Sequence, residues 1–373
     1  MADYTLSKVA LQSIFDMKDT ENLITEAIRS SIFPGAVLAV SMKGKILFHK
    51  AFGRADIFAG TPMTTETFFD LASLTKPLAT TLAAMRLVEE ERIRLDQPVV
   101  EILPALEGAG KEKITARHLL SHTSGLPDWR PWFMPLVRQP AERRGALLRD
   151  LLIAEPLEAD PGTRTAYSDL GFMLLAWLIE EICGQRLDRF LNAEVYDALH
   201  IEDLFFIDRW SVAVPADQFA ATQLCPWRHC LLKGQVDDDN VWAAGGIGGQ
   251  AGLFGTAIEV CALADALLLA AGGTDLAGLV SSRTVNRFFA RQGDGRALGF
   301  DVPTRPGSSS GRYFSDSSVG HLGFTGTSFW ADPEHSLAVV LLTNRVHPYR
   351  FREGIRAFRP VLHDTVVREL GLA

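Results

Sequence analysis

The run Phe69-Asp70-Leu71-Ala72-Ser73-Leu74-Thr75-Lys76 decides how this chain is read. It places a serine and a lysine three residues apart. If a helix begins at or just after Ser73, side chains three apart stand one above the other on the same face. The Lys76 ammonium then reaches the Ser73 hydroxyl. A serine is a weak nucleophile until a neighbouring base takes its proton, and a desolvated lysine is a candidate for that base. A helix start also offers free backbone N–H groups and partial positive charge, both suited to an oxyanion.

Alone, Ser-x-x-Lys is short enough to recur by chance. The residues beyond it supply context. Pro77 falls in the first helical turn, where its missing N–H costs nothing. Leu78, Leu82, Met85, Leu87 and Val88 come next at helical spacing, and Glu89-Glu90-Glu91-Arg92 closes the run. The spacing predicts a helix over 78–91, packed into a core, with Ser73 at its start.

Further out, Leu23, Ile24, Ala27 and Ile28 predict an N-terminal helix that Pro34-Gly35 ends. Ala36 to Met42 and Lys45 to Phe52 read as strands, with a tight turn at Lys43-Gly44. Helical patterns recur over 115–121, 142–153, 171–183, 186–198, 257–271 and 281–291. Strand-like runs return at Tyr313 to Gly320, Thr327 to Ala331 and Leu337 to Thr343, the last a buried central strand. A helix over 351–370 finishes the chain. Pro303 to Arg312 reads as a flexible loop. The expected class is α+β: an antiparallel sheet flanked by N- and C-terminal helices, with an inserted mainly helical region. The expected division is one catalytic domain over 1–373, with an α/β part at about 1–60 and 256–373 and a helical part at about 61–255.

The 373 residues are 47% apolar and 22% charged, enough to bury a sizeable core. The formal charge is −8 and the basic residues are scattered, which excludes a nucleic-acid binder of the usual basic kind. No stretch reaches the ~18 apolar residues of a membrane span. The richest run, Phe172 to Ile179, stops at Glu180-Glu181. Met1 to Thr5 has neither a basic start nor an apolar run, so a cytoplasmic location is expected. Cys183, Cys225, Cys230 and Cys261 are expected as free thiols. Cys225 and Cys230, with His229 between them, fit no zinc spacing.

Three other motifs compete for the chemistry. Gly307-Ser308-Ser309-Ser310-Gly311 matches a nucleophile elbow in letters, but Thr304-Arg305-Pro306 precede it where a strand is required. The glycine run from Gly245 to Gly255 lacks the Lys-Ser/Thr ending of a phosphate loop, and Ala251 breaks the dinucleotide spacing. Its glycines predict close backbone approach or positive φ near a site. His118 and His122 lack the third ligand and intervening Glu of a zinc helix. His122 is read as a hydrogen-bonding residue in the turn His122-Thr123-Ser124-Gly125-Leu126-Pro127. Trp129, Trp132, Phe133, Trp227 and Trp242 either line a pocket or pack in loops.

Two elements extend the serine–lysine pair. Tyr167-Ser168-Asp169 precedes the helix at 171, and a phenol beside an ammonium can take up and return a proton. A tyrosine that only caps a loop is the alternative. Gly320-His321-Leu322-Gly323-Phe324-Thr325-Gly326-Thr327 lies on or beside a strand, with small residues that let a ligand lie against its edge. His321 offers a polar contact or a positive charge.

Ser-x-x-Lys, then Tyr-x-Asp, then His-x-Gly, with the turn at 122–127, resembles the serine β-lactamase and penicillin-binding protein superfamily. The resemblance covers about residues 20 to 365 and is closest to the branch of class C β-lactamases, D-amino-acid peptidases and related esterases. It implies Ser73 as the acylated nucleophile, and Lys76 and Tyr167 sharing the base and proton-relay work. The backbone N–H groups of Ser73 and Phe324 are implied as the oxyanion hole. Asp169, His321 and Gly323 are implied in binding or support, with no metal and no cofactor. This chain departs from the pattern at three positions. Asp169 stands where asparagine is common, His321 where β-lactamases have lysine, and Leu322 where a hydroxyl residue helps bind a carboxylate. The expectation is therefore a serine hydrolase of small esters or amides with weak or no β-lactamase activity. The alternatives are an acyltransferase using the same acyl-enzyme, a D-amino-acid peptidase and a catalytically dead penicillin-binding sensor.

Overall fold

The computed structural model describes residues 15–210 and 215–373. Its frame starts from the predicted hairpin. Strands β1 (Gly35–Met42) and β2 (Lys45–Asp56) are joined by Lys43 and Gly44, with φ of 53° and 71°. Two left-handed residues in succession give the turn whose twist matches antiparallel strands. β3 (Thr61–Pro62) extends the edge. The remaining strands come from the far end of the chain: β4 (Val319–Leu322), β5 (Ser328–Asp332) and β6 (Leu337–Thr343). The order across the sheet is β3-β2-β1-β6-β5-β4, antiparallel at each pairing. β1 and β6 lie together at its centre, in register from Ala36 with Thr343 to Met42 with Leu337. The two ends of the chain thus complete one sheet.

Five helices matter for the sheet and the site: α1 (Lys18–Arg29), α2 (Thr81–Glu89), α3 (Asp169–Cys183), α4 (Ala257–Ala271) and α5 (Ile355–Glu369). β6 is apolar from Leu337 to Leu342, as suits a strand covered on both faces. Ala338, Val340 and Leu342 join the core that contains α4 and the helical region, while Leu337, Val339 and Leu341 join the core under α1 and α5. In α3 every residue from Leu170 to Ile179 is buried, so it is a central helix rather than an amphipathic cover. Ser168 caps it by accepting the Gly171 N–H at 3.0 Å, and Gly184 ends it at φ 67°. Among the described residues, no helix is long and apolar enough to cross a membrane.

The structure departs from the sequence reading in five places. No α-helix starts at Ser73. Ala72–Leu74 form a single 3₁₀ turn, Lys76–Thr80 a wide π turn, and α-helix begins only at Thr81. Pro77 lies inside the π turn, where the widened ladder tolerates its missing N–H. Of the strand expected over 313–320, only Val319 and Gly320 are extended; Ser315 instead turns to Asp332, bonding it through N–H at 2.9 Å and Oγ at 2.6 Å. The helix expected over 186–198 is α only at Leu187–Leu191 and continues as a π turn over Asn192–Tyr196. Pro303 to Arg312 is pinned rather than loose: His363 Nδ1 lies 2.7 Å from Ser309 O, and Asp364 accepts the Arg312 N–H at 2.6 Å. Finally, the mainly helical stretch contains a small antiparallel sheet of Phe69–Asp70, Leu253–Gly255 and Leu204–Phe206. That sheet carries the chain into Ser73.

Candidate active site

Ser73 is delivered by a strained turn. Ala72, just before it, has φ 48°, a left-handed conformation that costs a non-glycine residue about 1 kcal/mol or more. Asp70 holds that conformation by accepting the Ala72 N–H at 2.8 Å, while its other oxygen accepts the Asp237 N–H at 2.6 Å. Thr75 Oγ1 donates to Ala72 O at 2.6 Å and accepts the Leu253 N–H at 3.1 Å. The result places Lys76 Nζ 3.0 Å from Ser73 Oγ, the contact expected from the three-residue spacing, reached without an α-helical turn.

Lys76 is fully buried and donates three hydrogen bonds: to Ser73 Oγ, to Asp169 Oδ1 at 2.7 Å and to Gln250 O at 3.0 Å. Three acceptors match the three hydrogens of an ammonium. Burial pulls its pKa down, but the charge of Asp169 and the phenol of Tyr167 outweigh burial and hold Lys76 above its ordinary value. Tyr167 Oη donates to Ser73 Oγ at 2.9 Å. Burial pushes the phenol's pKa up, against the pull of the neighbouring Lys76 ammonium. At rest the site holds an ammonium, a phenol and a serine hydroxyl.

Tyr167, Ser168 and Asp169 converge because they form the entry to α3. The Tyr167 ring lies 4.6 Å from the His122 ring, whose Nδ1 accepts the Ser168 N–H at 3.0 Å. Burial holds the His122 pKa well below its ordinary value, so the ring is a neutral support, as the turn at 122–127 predicts. The glycine run serves the same region. Gly245, Gly246 and Gly252 adopt φ of 124°, 100° and 109°, and a Cβ on Gly249 would collide with Phe172 O of α3.

The turn after β4 is tied to the nucleophile segment. Thr325 Oγ1 donates to Asp70 O at 2.7 Å, and Thr327 Oγ1 to Leu71 O at 3.0 Å. Gly323 is required by this closeness: a Cβ there would overlap Thr327 Oγ1 and lie 2.7 Å from Leu71 O. Its smallness thus serves packing against Leu71. Ser73, Tyr167, His321, Gly323 and Phe324 line one cleft of about 750 Å³, with Lys76 beneath it. His321 is buried, and its Nδ1 lies 2.9 Å from Leu322 O, so that nitrogen carries the hydrogen. Burial, then Lys76 and Arg296, hold its pKa well below the ordinary value. His321 is therefore neutral, and the positive charge considered for it is absent.

Two contributors escaped the sequence reading. Asp70 had one signal, a carboxylate inside an apolar run. Arg296 had none; its guanidinium lies 5.3 Å from the Tyr167 ring and pairs with Asp301. The tryptophans form no wall of this cleft. Trp227 packs 5.0 Å from Phe133 and 5.2 Å from Trp242. Cys225 and Cys230 face each other across a two-stranded ladder as free thiols. Among the described residues, no cluster of His, Cys, Asp or Glu is placed to hold a metal.

A buried lysine and a tyrosine converging on a serine beside a strand edge agree with the serine β-lactamase and penicillin-binding protein superfamily. The sequence matches the Beta-lactamase family over residues 20–361, and the chain belongs to that family of serine hydrolases. It is 32% identical to the N-acetylmuramyl-L-alanine amidase of Bacillus subtilis (strain 168), over 84% of this chain and 78% of the relative. Its fold is similar to that of EstCE1, a hydrolase with promiscuous acyltransferase activity, with a TM-score of 0.72 and 24% identity over 94% of this chain and 97% of that one. A penicillin-binding protein homologue from Caulobacter crescentus has the same fold, with a TM-score of 0.72 and 19% identity over 96% and 99% of the two chains.

Proposed function

We propose that this protein cleaves small esters or amides through an acyl-enzyme on Ser73, within a single catalytic unit. The observation that carries the reading is the convergence of Lys76 Nζ and Tyr167 Oη on Ser73 Oγ, at 3.0 and 2.9 Å. Tyr167, as phenolate, takes the Ser73 proton while the oxygen attacks the substrate carbonyl. The Lys76 ammonium steadies phenolate and alkoxide in turn. Tyr167 then returns the proton to the departing alcohol or amine, and water repeats the sequence to release the acid. The Ser73 and Phe324 N–H groups receive the oxyanion, each donor contributing ~3 kcal/mol to the transition state. The amidase name of the Bacillus relative supports amide cleavage. Neutral His321 and Leu322 leave the strand edge poorly equipped to hold a β-lactam carboxylate, so β-lactamase activity is weak or absent in this reading.

A second reading passes the same acyl group to an alcohol or amine. It draws on EstCE1, described as a hydrolase with promiscuous acyltransferase activity. A fluorophosphonate probe tests the first step: labelling of wild type and none of Ser73→Ala is expected, and an unlabelled wild type rejects nucleophilic catalysis by Ser73. Partitioning between water and added alcohol separates the two readings. We place the enzyme in the cytoplasm, the location expected from the sequence. Cell fractionation tests that placement.

A further inference from the structure

Six arginines line the cleft over Ser73: Arg296, Arg345, Arg350, Arg352, Arg356 and Arg359. Two carboxylates, Asp301 and Glu353, share the lining. The chain as a whole has a formal charge of −8, so the excess is local and runs against composition. Asp301 is committed to Arg296, and Glu353 lies 3.8 Å from Arg356 on open surface. Arg350 approaches one carboxylate, Asp239, at 4.0 Å.

Two more of the six have structural work. Arg345 donates to Arg350 O at 3.0 Å and also to the carbonyls of Arg352 and Phe324, shaping the loop after β6. Arg359 donates to Thr327 O at 2.7 Å. Among the described residues, the side chains of Arg350, Arg352 and Arg356 donate no hydrogen bond to the protein. They are guanidinium forks on the cleft, and Arg350 and Arg356 have long ion-pair approaches to Asp239 and Glu353 at 4.0 and 3.8 Å.

The position of these charges bears on the chemistry. The guanidiniums of Arg345 and Arg350 each lie 5.0 Å from the ring of Phe324, whose N–H is the oxyanion donor of the proposed hydrolase. The cationic group therefore flanks the place of the reacting carbonyl. The charges also crowd one another. Burial, with Arg345 nearby, pushes Arg359 down to about 9, and burial lowers Arg345, with Arg356 and Arg350 acting the same way. An anion in the cleft relieves that repulsion.

We propose that the natural substrate carries at least two negative charges, as a dicarboxylate or a phosphate, held by Arg350, Arg352 and Arg356 beside the scissile ester or amide. This rests on the serine-hydrolase reading. A guanidinium fork matches the paired oxygens of carboxylate and phosphate. One carboxylate would answer one fork, and among the described residues three forks donate no hydrogen bond to the protein. The segment 350–356 thereby supplies the anion recognition that His321 and Leu322 do not, and it widens the substrate class expected from the strand edge alone.

The test compares acetate esters with leaving groups of graded charge: phenyl acetate, 3-acetoxybenzoate, 5-acetoxyisophthalate and 3-acetoxyphenylphosphonate. A second arm moves the charge to the acyl side, with the 4-nitrophenyl esters of benzoic and trimesic acids. In at least one arm kcat/KM is expected to be at least about tenfold higher for the dianion than for the neutral ester, the low end of electrostatic focusing in a cleft. That ratio is expected to collapse in Arg350→Gln/Arg352→Gln/Arg356→Gln and to shrink in about 0.5 M salt. The isophthalate and phosphonate arms tell dicarboxylate from phosphate. If Ser73 is labelled and neutral esters turn over, but dianions show no advantage in either arm or keep it in the triple variant, the proposal is overturned and the hydrolase reading stands. If Ser73 is not labelled and no ester turns over, both fall together.

Discussion

Lys76 Nζ lies closer to Asp169 Oδ1, at 2.7 Å, than to Ser73 Oγ, at 3.0 Å. The lysine is thus paired first with a carboxylate and only second with the serine. A neutral lysine base is disfavoured by that arrangement, because losing its proton would leave Asp169 charged without its partner. Lys76 and Tyr167 titrate as a coupled pair. When the pair gives up one proton, Asp169 favours the form in which the ammonium remains and the phenol has ionised. In the proposed mechanism Asp169 therefore favours Tyr167 as the base and makes that base available at higher pH.

Asp169→Asn tests this through the pH dependence of a neutral ester. Asp169 raises the pKa of both Lys76 and Tyr167. Removing its charge lets the pair lose its proton at lower pH, so the rising alkaline limb of kcat/KM is expected to move to lower pH. The variant also weakens the pairing of a buried ammonium and should lose on the order of 1–3 kcal/mol of stability, read by urea unfolding. A limb that stays in place, or moves to higher pH, rejects this role for Asp169.

Tyr167→Phe separates proton transfer from packing. The ring keeps its place against His122, while the 2.9 Å bond to Ser73 and the interaction of the hydroxyl with Lys76 are lost. The expected fall in kcat is ~10²–10⁴-fold, the usual worth of a general base. Stability should change by no more than about 0.5–1.5 kcal/mol, the net worth of one hydrogen bond. Stopped-flow acylation and thermal unfolding read the two effects. Activity near wild type would return Tyr167 to a role as a loop cap.

Legibility in the sequence depends on where the determining contacts lie. Leu337 to Thr343 was legible because six apolar residues in a row suit a strand covered on both faces. The Lys43-Gly44 turn was legible because its conformation is local. The closeness of Lys76 to Ser73 was legible through spacing, and the approach of Tyr167 to them through the family resemblance. The wide turn at Lys76–Thr80 was not, since it answers to distant partners: Thr80 Oγ1 donates to Gly249 O at 2.7 Å, and Lys76 reaches Gln250. Residues 313–318 read as strand from their letters, yet the Asp332 carboxylate pulls Ser315 into a turn. The arginine-lined cleft was hidden for the same reason. Its members are scattered from 296 to 359 and become a cluster only when β6 and α5 bring that end of the chain back to Ser73.

Gly323→Ala probes the join between β4 and the nucleophile segment. An added Cβ must displace Thr327 Oγ1 or the Leu71 carbonyl, two residues before Ser73. Backbone cannot yield as a flexible side chain does. The expected cost is ~1–3 kcal/mol in denaturant unfolding, the range for overpacking a filled site. Ester turnover should fall beyond what instability explains, because the Ser73 and Phe324 N–H groups are displaced relative to each other. A variant of wild-type stability and wild-type kcat would show that the turn has slack.

Asp265 offers a stability test remote from the chemistry. It lies on α4, buried, and accepts a hydrogen bond from Ser41 Oγ of β1 at 2.6 Å. Burial pushes its carboxyl from 3.8 up to about 6, with Ser41 pulling the other way. A carboxyl whose folded pKa is raised stabilises the fold fully below its unfolded value, and that contribution is lost as pH rises through the folded value. For Asp265 the window runs from about pH 4 to about pH 6. Asp265→Asn keeps the acceptor for Ser41 and removes the proton. Its stability relative to wild type should therefore improve as pH rises from 4 to 8, by on the order of 3 kcal/mol at most. Urea unfolding of both proteins at the two pH values measures the difference. A difference that is flat with pH, or that moves against the asparagine variant, would mean that the carboxyl remains ionised within the fold.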